Sequence, residues 1–130
     1  MHDMFRFNSM VQNTFDYSNV WPLWCEAYDD TKKLKFNDAA VRYIQKQNLE
    51  SFPGGVPTSL VQTLEQWDFP NCWPPLEHVL VLGLEKTNMP EAKALAFTIA
   101  EKRVRNSYLN FQQHGHMYEK VCMSTTYRKN

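Results

Sequence analysis

The sequence predicts an all-α protein in which helix pairs are joined by rigid loops rich in proline and glycine. Apolar residues recur at helical spacing in several separate stretches of the 130-residue chain. Between these stretches lie segments whose prolines and glycines interrupt regular structure. No segment shows the alternation of apolar and polar residues that is typical of a half-buried strand. Helices paired across ordered loops indicate part of an all-α assembly.

The first half of the chain carries the weaker helical patterns. Residues 1–16 show little periodicity and are predicted to be irregular. The apolar stretch VWPLWCEAY is predicted to enter a helix after Pro22. Asn37 or Asp38 is a suitable N-cap for the next helix, which should end near Asn48.

Two rigid segments follow this helix. The first is SFPGGVPTSL, residues 51–60, in which the prolines fix φ and the glycines permit backbone conformations that other residues avoid. Thr58 or Ser59 is predicted to cap a short turn there. The second rigid segment is bracketed by Pro70, Pro74 and Pro75.

The second half of the chain contains the stronger helical patterns. A largely apolar helix is predicted from Pro75 to about Lys86, buried on more than one side. A longer helix should begin at Pro90 or Glu91 and end before Gly115. The residues expected to be buried between these two helices are Leu80, Leu84, Leu95, Ile99 and Val104.

Composition excludes several classes of protein. Lys plus Arg and Asp plus Glu both number 14, so the net charge is zero and no nucleic-acid partner is predicted. No apolar run is long enough to span a membrane, and the first residues show no secretory signal. The cysteines number three and form no CxxC pair, so a cytosolic, reduced state is the default interpretation.

The stretch EQWDFPNCWPPLE, residues 65–77, concentrates aromatic rings, polar groups and prolines. A core segment would not place Asp68 and Asn71 between its aromatic residues, and a flexible loop would not carry Trp67 and Trp73. One interpretation is structural, with Asp68 capping a helix or binding backbone N–H groups. The other is a site for a sugar or another polyol. Tryptophan faces pack on sugar rings, while carboxylate and amide groups bind hydroxyls.

Other candidate residues give weaker predictions. The glycines of PGGVPTSL permit either a tight connection or a close approach of backbone to ligand. His114 and His116 have no third ligand nearby, so no metal site is predicted. No local feature of the sequence would activate the Cys122 thiol, which argues against a nucleophile. Glu119 in HMYEK would be an active carboxylate only with a second one across a substrate.

Several motifs in a fixed order resemble one enzyme family. PGGVPTSL, then QWDFPNCWPPL, then an amphipathic helix and then MYEK are similar to the C-terminal part of the α,α-trehalases. The upstream SNVWPLW is similar to another stretch of that family. The resemblance predicts three parts: an irregular segment at 1–16, a trehalase-like domain at 17–120 and a divergent tail at 121–130.

The resemblance implies a fold, a reaction and a set of site residues. The fold is part of an (α/α)6 barrel, and the reaction is hydrolysis of trehalose to two glucoses with inversion, without a cofactor. By its place in MYEK, Glu119 matches the general base, and its carboxylate should be free of ion pairs with Lys120 or Arg128. The loop residues that match the sugar pocket are Gln66, Trp67, Asp68, Asn71 and Trp73. The resemblance further implies that the side chains of Trp67, Asp68 and Asn71 face one concavity together with Glu119.

The sequence departs from the family pattern at important positions. The family's general acid, an aspartate in a G-W-D motif, and its substrate-holding arginine motifs do not occur in these residues, and Glu77 stands where glutamine is usual. One carboxylate cannot perform both catalytic functions, so the isolated chain is predicted to be inactive. The alternatives are a non-catalytic trehalase-like remnant and a helical sugar-binding or interaction module. Family members are often secreted or membrane-anchored.

Two partners are predicted from these observations. Trehalose or glucose is the expected small-molecule ligand, because the resemblance covers the loop near the sugar pocket. Apolar surface that absent helices would cover is expected to promote self-association.

Overall fold

Helices dominate the structure, a computed structural model that describes residues 14–122. The helices are α1 Trp21–Cys25, α2 Lys33–Lys46, α3 Pro74–Lys86 and α4 Pro90–His114. Two short strands, β1 Asn71–Cys72 and β2 Val121–Cys122, form the sheet. The all-α prediction is therefore confirmed, while the (α/α)6 barrel stays a prediction of the resemblance. Within residues 14–122 no helix combines the length and the apolar character needed to cross a lipid bilayer.

The core lies where α3 packs against α1 and α4. Leu80 and Leu84 on α3 are buried, as are Leu95 and Ile99 on α4, in agreement with the prediction. Val104 is 68% exposed, so its predicted burial is wrong. The reason is the side of the helix on which it lies: Arg103, the residue before it, contacts Glu77 of α3, whereas Val104 lies with Phe97 on the outward side of α4.

Helix α3 is buried on one broad side only. Leu82 is 37% exposed, although the apolar pattern predicted burial on more than one side. The buried side also contains Glu77, a charged residue one turn into the helix.

Helix α2 begins earlier than predicted. A single 3-10 turn precedes it, and the Asp29 carboxylate caps this turn by accepting the backbone N–H of Thr31 at 2.9 Å. Asn37 and Asp38, the predicted N-caps, lie inside the helix, and Asn37 is fully buried. The error arose because the same polar residue types occur both at N-caps and inside helices. The backbone conformation distinguishes the two positions, and the sequence does not show it.

The two strands tie the second rigid segment to the chain that follows α4. They pair antiparallel, with Asn71 opposite Cys122 and Cys72 opposite Val121. Two-residue strands are too short to produce an alternating pattern, so they could not be predicted from the residues. Residues 121–122 belong to the predicted tail, whose remaining residues, like 1–13, lie outside the described part of the chain.

The rigid segments are held by hydrogen bonds rather than by regular structure. Thr58 donates its N–H to the Asn71 carbonyl at 2.9 Å. The Ser59 hydroxyl accepts the N–H of Val61 at 3.3 Å, which is the predicted capped turn. The Phe69–Pro70 peptide bond is cis. At the far end of α4, Gly115 adopts a left-handed conformation with φ 76° and ends the helix, as predicted.

Candidate functional site

The second rigid segment, the start of α3 and the residues after α4 surround one open concavity. Its volume is about 440 Å3, within the range of small-molecule sites. The side chains around it are those of Gln66, Trp67, Trp73, Pro75, Leu76 and Glu119.

Two tryptophans form the aromatic wall of the concavity. The rings of Trp67 and Trp73 stack with centroids 4.0 Å apart and planes inclined by 18°. Trp73 is 9% exposed, and its indole N–H donates to the Gln66 carbonyl at 3.2 Å. Trp67 lies on top of it and is 47% exposed. A buried ring therefore supports an exposed one, which gives a flat apolar surface of fixed orientation.

Glu119 supplies the carboxylate of the concavity. It follows the helix end at Gly115 by four residues and precedes β2, so an ordered helix and a strand hold both sides of its segment. Within the described part of the chain its carboxylate makes no hydrogen bond and no ion pair, including with Lys120. Arg128 lies outside the described residues. A carboxylate without a partner can accept a hydroxyl proton or activate a water molecule.

Asp68 and Asn71 do not line the concavity. The Asp68 carboxylate accepts the hydroxyl of Ser59 at 2.9 Å and that of Thr63 at 2.6 Å. It therefore stabilises the loop, but through two side-chain hydroxyls and not through the helix cap or the backbone N–H groups that the structural interpretation named. Asn71 lies in β1, where its carbonyl accepts the N–H of Thr58. The structure thus brings together Gln66, Trp67, Trp73 and Glu119, whereas direct sugar contacts by Asp68 and Asn71 stay predictions.

A buried ion pair behind the concavity was not found by sequence reasoning. The Glu77 side chain is 1% exposed and that of Arg103 is 11% exposed. The Arg103 guanidinium donates to the Glu77 carboxylate and to the Cys72 sulfur. Glu77 also accepts the Val56 N–H at 2.6 Å and the Cys72 thiol at 3.4 Å. One carboxylate therefore connects three separate segments of the chain.

Burial sets the protonation of this cluster. It raises the pKa of the Glu77 carboxyl group, and the Arg103 guanidinium opposes that rise. Burial also raises the pKa of the Cys72 thiol far above its ordinary value, so Cys72 is a neutral donor and not a nucleophile. Gly55 has φ 120°, and a side chain there would overlap the Glu77 carboxylate.

One signal in the sequence could have revealed the cluster. Glu77 is the single acidic residue in PPLEHVLVLGL, residues 74–84, a stretch that was predicted to be buried. A charged residue in a buried helix requires a partner, since an unpaired buried charge is costly. The partner, 26 residues further along, could not be identified without the packing of α3 against α4.

Metal-binding groups are not assembled here. Among residues 14–122 no group of three or more His, Cys, Asp or Glu side chains could hold a metal ion. The rings of His114 and His116 lie 6.3 Å apart beside Tyr118.

An all-α fold thus places two stacked tryptophans and the Glu119 carboxylate around one concavity. Comparison with known proteins defines the family. The trehalase family model matches residues 3–129. The chain is 40% identical over 112 residues to a trehalase of Tenebrio molitor, covering 86% of this chain and 20% of the relative. It is 36% identical to trehalases of Apis mellifera and Homo sapiens, covering 87% and 82% of this chain and 18% of each relative.

The chain belongs to the trehalase family. It spans about a fifth of the length of the relatives it matches.

Proposed function

We propose that this chain supplies the general-base side and one sugar-binding surface of a trehalase active site, which hydrolyses α,α-trehalose to two glucoses with inversion. The observation that carries this proposal is the unpaired Glu119 carboxylate in one concavity with the stacked Trp67 and Trp73. The exposed face of Trp67 packs on the apolar face of a glucose ring. The Gln66 amide binds a sugar hydroxyl.

The reaction requires two carboxylates on opposite sides of the anomeric carbon. Glu119 removes a proton from the attacking water, while a second carboxylic acid protonates the glycosidic oxygen. The two groups lie about 6.5–9.5 Å apart in inverting enzymes, which leaves room for the water. Of the six described residues that line the concavity, Glu119 alone carries a carboxylate. In this proposal the general acid is therefore a residue other than these six.

The same observation favours a second candidate function. A concavity with aromatic rings and one carboxylate can bind a sugar without cleaving it. A non-catalytic trehalase-like chain, or a helical sugar-binding module, would retain the Trp67 surface and need no general acid. Catalysis and binding must therefore be measured separately.

The binding experiment uses tryptophan fluorescence of the purified chain titrated with trehalose and with glucose. Trp67→Ala should abolish the response and change the melting temperature little, because the ring is 47% exposed. Trp21→Ala is the matched control, since Trp21 is 37% exposed and lies on α1, outside the concavity. A Trp67→Ala chain that responds to sugar like the wild type would exclude the concavity as the sugar site.

The activity experiment measures glucose release from trehalose. The 130-residue chain should release no more glucose than its Glu119→Gln variant. In a longer chain that supplies the upstream aspartate, activity should appear, and Glu119→Gln should lower it by roughly 10²–10⁴-fold, as expected for loss of a general base. Activity that survives Glu119→Gln in the longer chain would assign the base to another residue.

We also propose that the outward face of α4 associates with a second copy of the chain. The exposed apolar residues of this face recur at helical spacing and are Phe97, Val104, Tyr108 and Phe111. An exposed apolar face of this length is typical of an interaction surface.

A further inference from the structure

The Glu77–Arg103 ion pair lies directly behind the concavity. Cys72, which contacts both charged groups, precedes Trp73 of the aromatic wall. Glu77 itself follows Leu76, another lining residue. Two residues of this cluster, Cys72 and Glu77, are therefore adjacent in sequence to two residues that line the concavity, Trp73 and Leu76.

The segment that carries Glu119 is connected to the ion pair through the two-stranded sheet. Cys72 is opposite Val121 in the antiparallel pair, and Val121 is two residues after Glu119. Cys72 and Val121 form a small buried cluster of their own. A displacement of Cys72 would therefore be passed to Val121 and to the segment that carries Glu119.

The carboxylate of Glu77 fixes these elements in specific directions. It accepts hydrogen bonds from the Val56 N–H in the first rigid segment, from Cys72 in β1 and from Arg103 in α4. Each bond has a preferred angle and length, which an apolar contact would lack. Gly55 leaves no side chain between this carboxylate and the loop, so the approach is close.

Stability alone does not account for such a pair. Replacing a buried ion pair by apolar residues of similar size is often neutral or stabilising, whereas removing one partner is destabilising. The contribution of Glu77 and Arg103 that apolar residues could not supply is the direction of their hydrogen bonds.

We propose that Glu77 and Arg103 are a positioning pair that fixes Glu119 relative to the Trp73 wall, a role that rests on the proposed function of the concavity. Neither residue touches the sugar. The pair acts through Cys72 and the β1–β2 pairing on one side and through the start of α3 on the other.

The experiment compares single and double variants. Glu77→Gln and Arg103→Met should each lower the melting temperature and weaken trehalose binding by about tenfold or more, because small displacements in a site have large effects. The double variant Glu77→Leu/Arg103→Met should recover the melting temperature of the wild type. Its trehalose affinity should stay about tenfold or more below the wild type, because the directional hydrogen bonds are still absent.

Two matched controls test whether position matters. Glu85→Gln, on the exposed side of α3, and Arg105→Met, exposed on α4, remove the same charges from the same helices. Both should leave melting temperature and affinity unchanged. An effect of either control equal to that of its buried counterpart would show that net charge, not the pair, is responsible.

A second measurement does not depend on sugar binding. Nuclear Overhauser contacts between Cys72 and Val121, which pair across the sheet, should be present in the wild type and weakened in the stable double variant. If wild type binds no trehalose, the proposed function fails while these contacts still test the positioning pair. A stable double variant that retains the contacts, or that binds trehalose like wild type, would overturn the proposal.

Discussion

At the scale of single residues, the Arg103 guanidinium favours the ionised form of the buried Glu77 carboxyl group. Burial raises the pKa of its carboxyl group above the ordinary value of 4.5, and the Arg103 guanidinium counteracts this rise. Arg103→Met removes the counteracting charge and keeps the burial, so the pKa of Glu77 should rise further. The folded variant then holds a proton that the unfolded chain releases, and such a protein loses stability as the pH rises.

The measurement is the melting temperature of Arg103→Met relative to wild type from pH 4.5 to neutrality. The difference should grow with pH, with each unit of pKa shift corresponding to about 1.4 kcal/mol. Tyr17 and Cys72 also face Glu77, but burial raises the pKa of both, so they stay neutral in this range. Adding Glu77→Gln should remove the pH dependence. A difference that is constant across the range would show that Glu77 does not titrate.

Sequence reasoning identified the exposed residues of the site better than the buried ones. Trp67 was singled out because aromatic rings beside polar groups are unusual in a rigid loop, whereas Glu119 was singled out only by its place in MYEK, through the resemblance to the trehalases. Asp68 was placed with the sugar because its side-chain type fits a hydroxyl ligand, yet its hydroxyl partners are Ser59 and Thr63. Hydrogen bonds within a loop of this kind depend on backbone geometry, which residue types alone do not specify.

At the scale of elements, the end of α4 determines where the Glu119 segment begins. Gly115 has φ 76° and donates its N–H to the Phe111 carbonyl at 2.7 Å. A side chain at this position would meet no neighbouring atom, so a substitution is strained only through the backbone. Gly115→Ala should therefore lower the free energy of unfolding by about 1 kcal/mol.

The matched control for this prediction is Gly115→Asn. Asparagine adopts the left-handed conformation more readily than alanine, so its cost in urea unfolding should be smaller. Both variants add a side chain of no buried contact, which isolates the backbone effect. Equal losses for alanine and asparagine would mean that something other than φ at residue 115 sets the stability.

Element boundaries were predictable where the chain has specific end signals. Helix α4 begins at Pro90 and ends just before Gly115, as these residues predicted, since proline suits a first helical turn and glycine suits a C-terminal cap. The predicted start of α2 was wrong because Asp29, Asn37 and Asp38 are all acceptable N-cap residues. The β1–β2 pair was missed because its partners, Asn71 with Cys122 and Cys72 with Val121, are far apart in the sequence and make only two pairings.

At the scale of the whole molecule, α4 has two apolar sides. One is buried against the core through Ala92, Leu95, Ala96 and Ile99. The other is exposed, with Phe97 at 70% and Val104 at 68% of their full surface. Apolar spacing along a helix shows which residues share a side but not whether a neighbour covers it, and this is why the burial of Val104 could not be predicted correctly.

The exposed side leads to the last prediction, which concerns association. Burying a Phe or Val side chain stabilises by roughly 1.5–3 kcal/mol, so several on one face suffice to hold two copies together weakly. Size-exclusion chromatography with light scattering should show a concentration-dependent dimer. Phe97→Gln/Val104→Gln should shift it to monomer, because glutamine keeps helix propensity and removes the apolar surface. Leu34→Gln is the control, since Leu34 is 78% exposed but lies on α2, away from this face. A wild-type chain that stays monomeric at high concentration, or a dimer unaffected by the double substitution, would show that a second copy does not occupy the face.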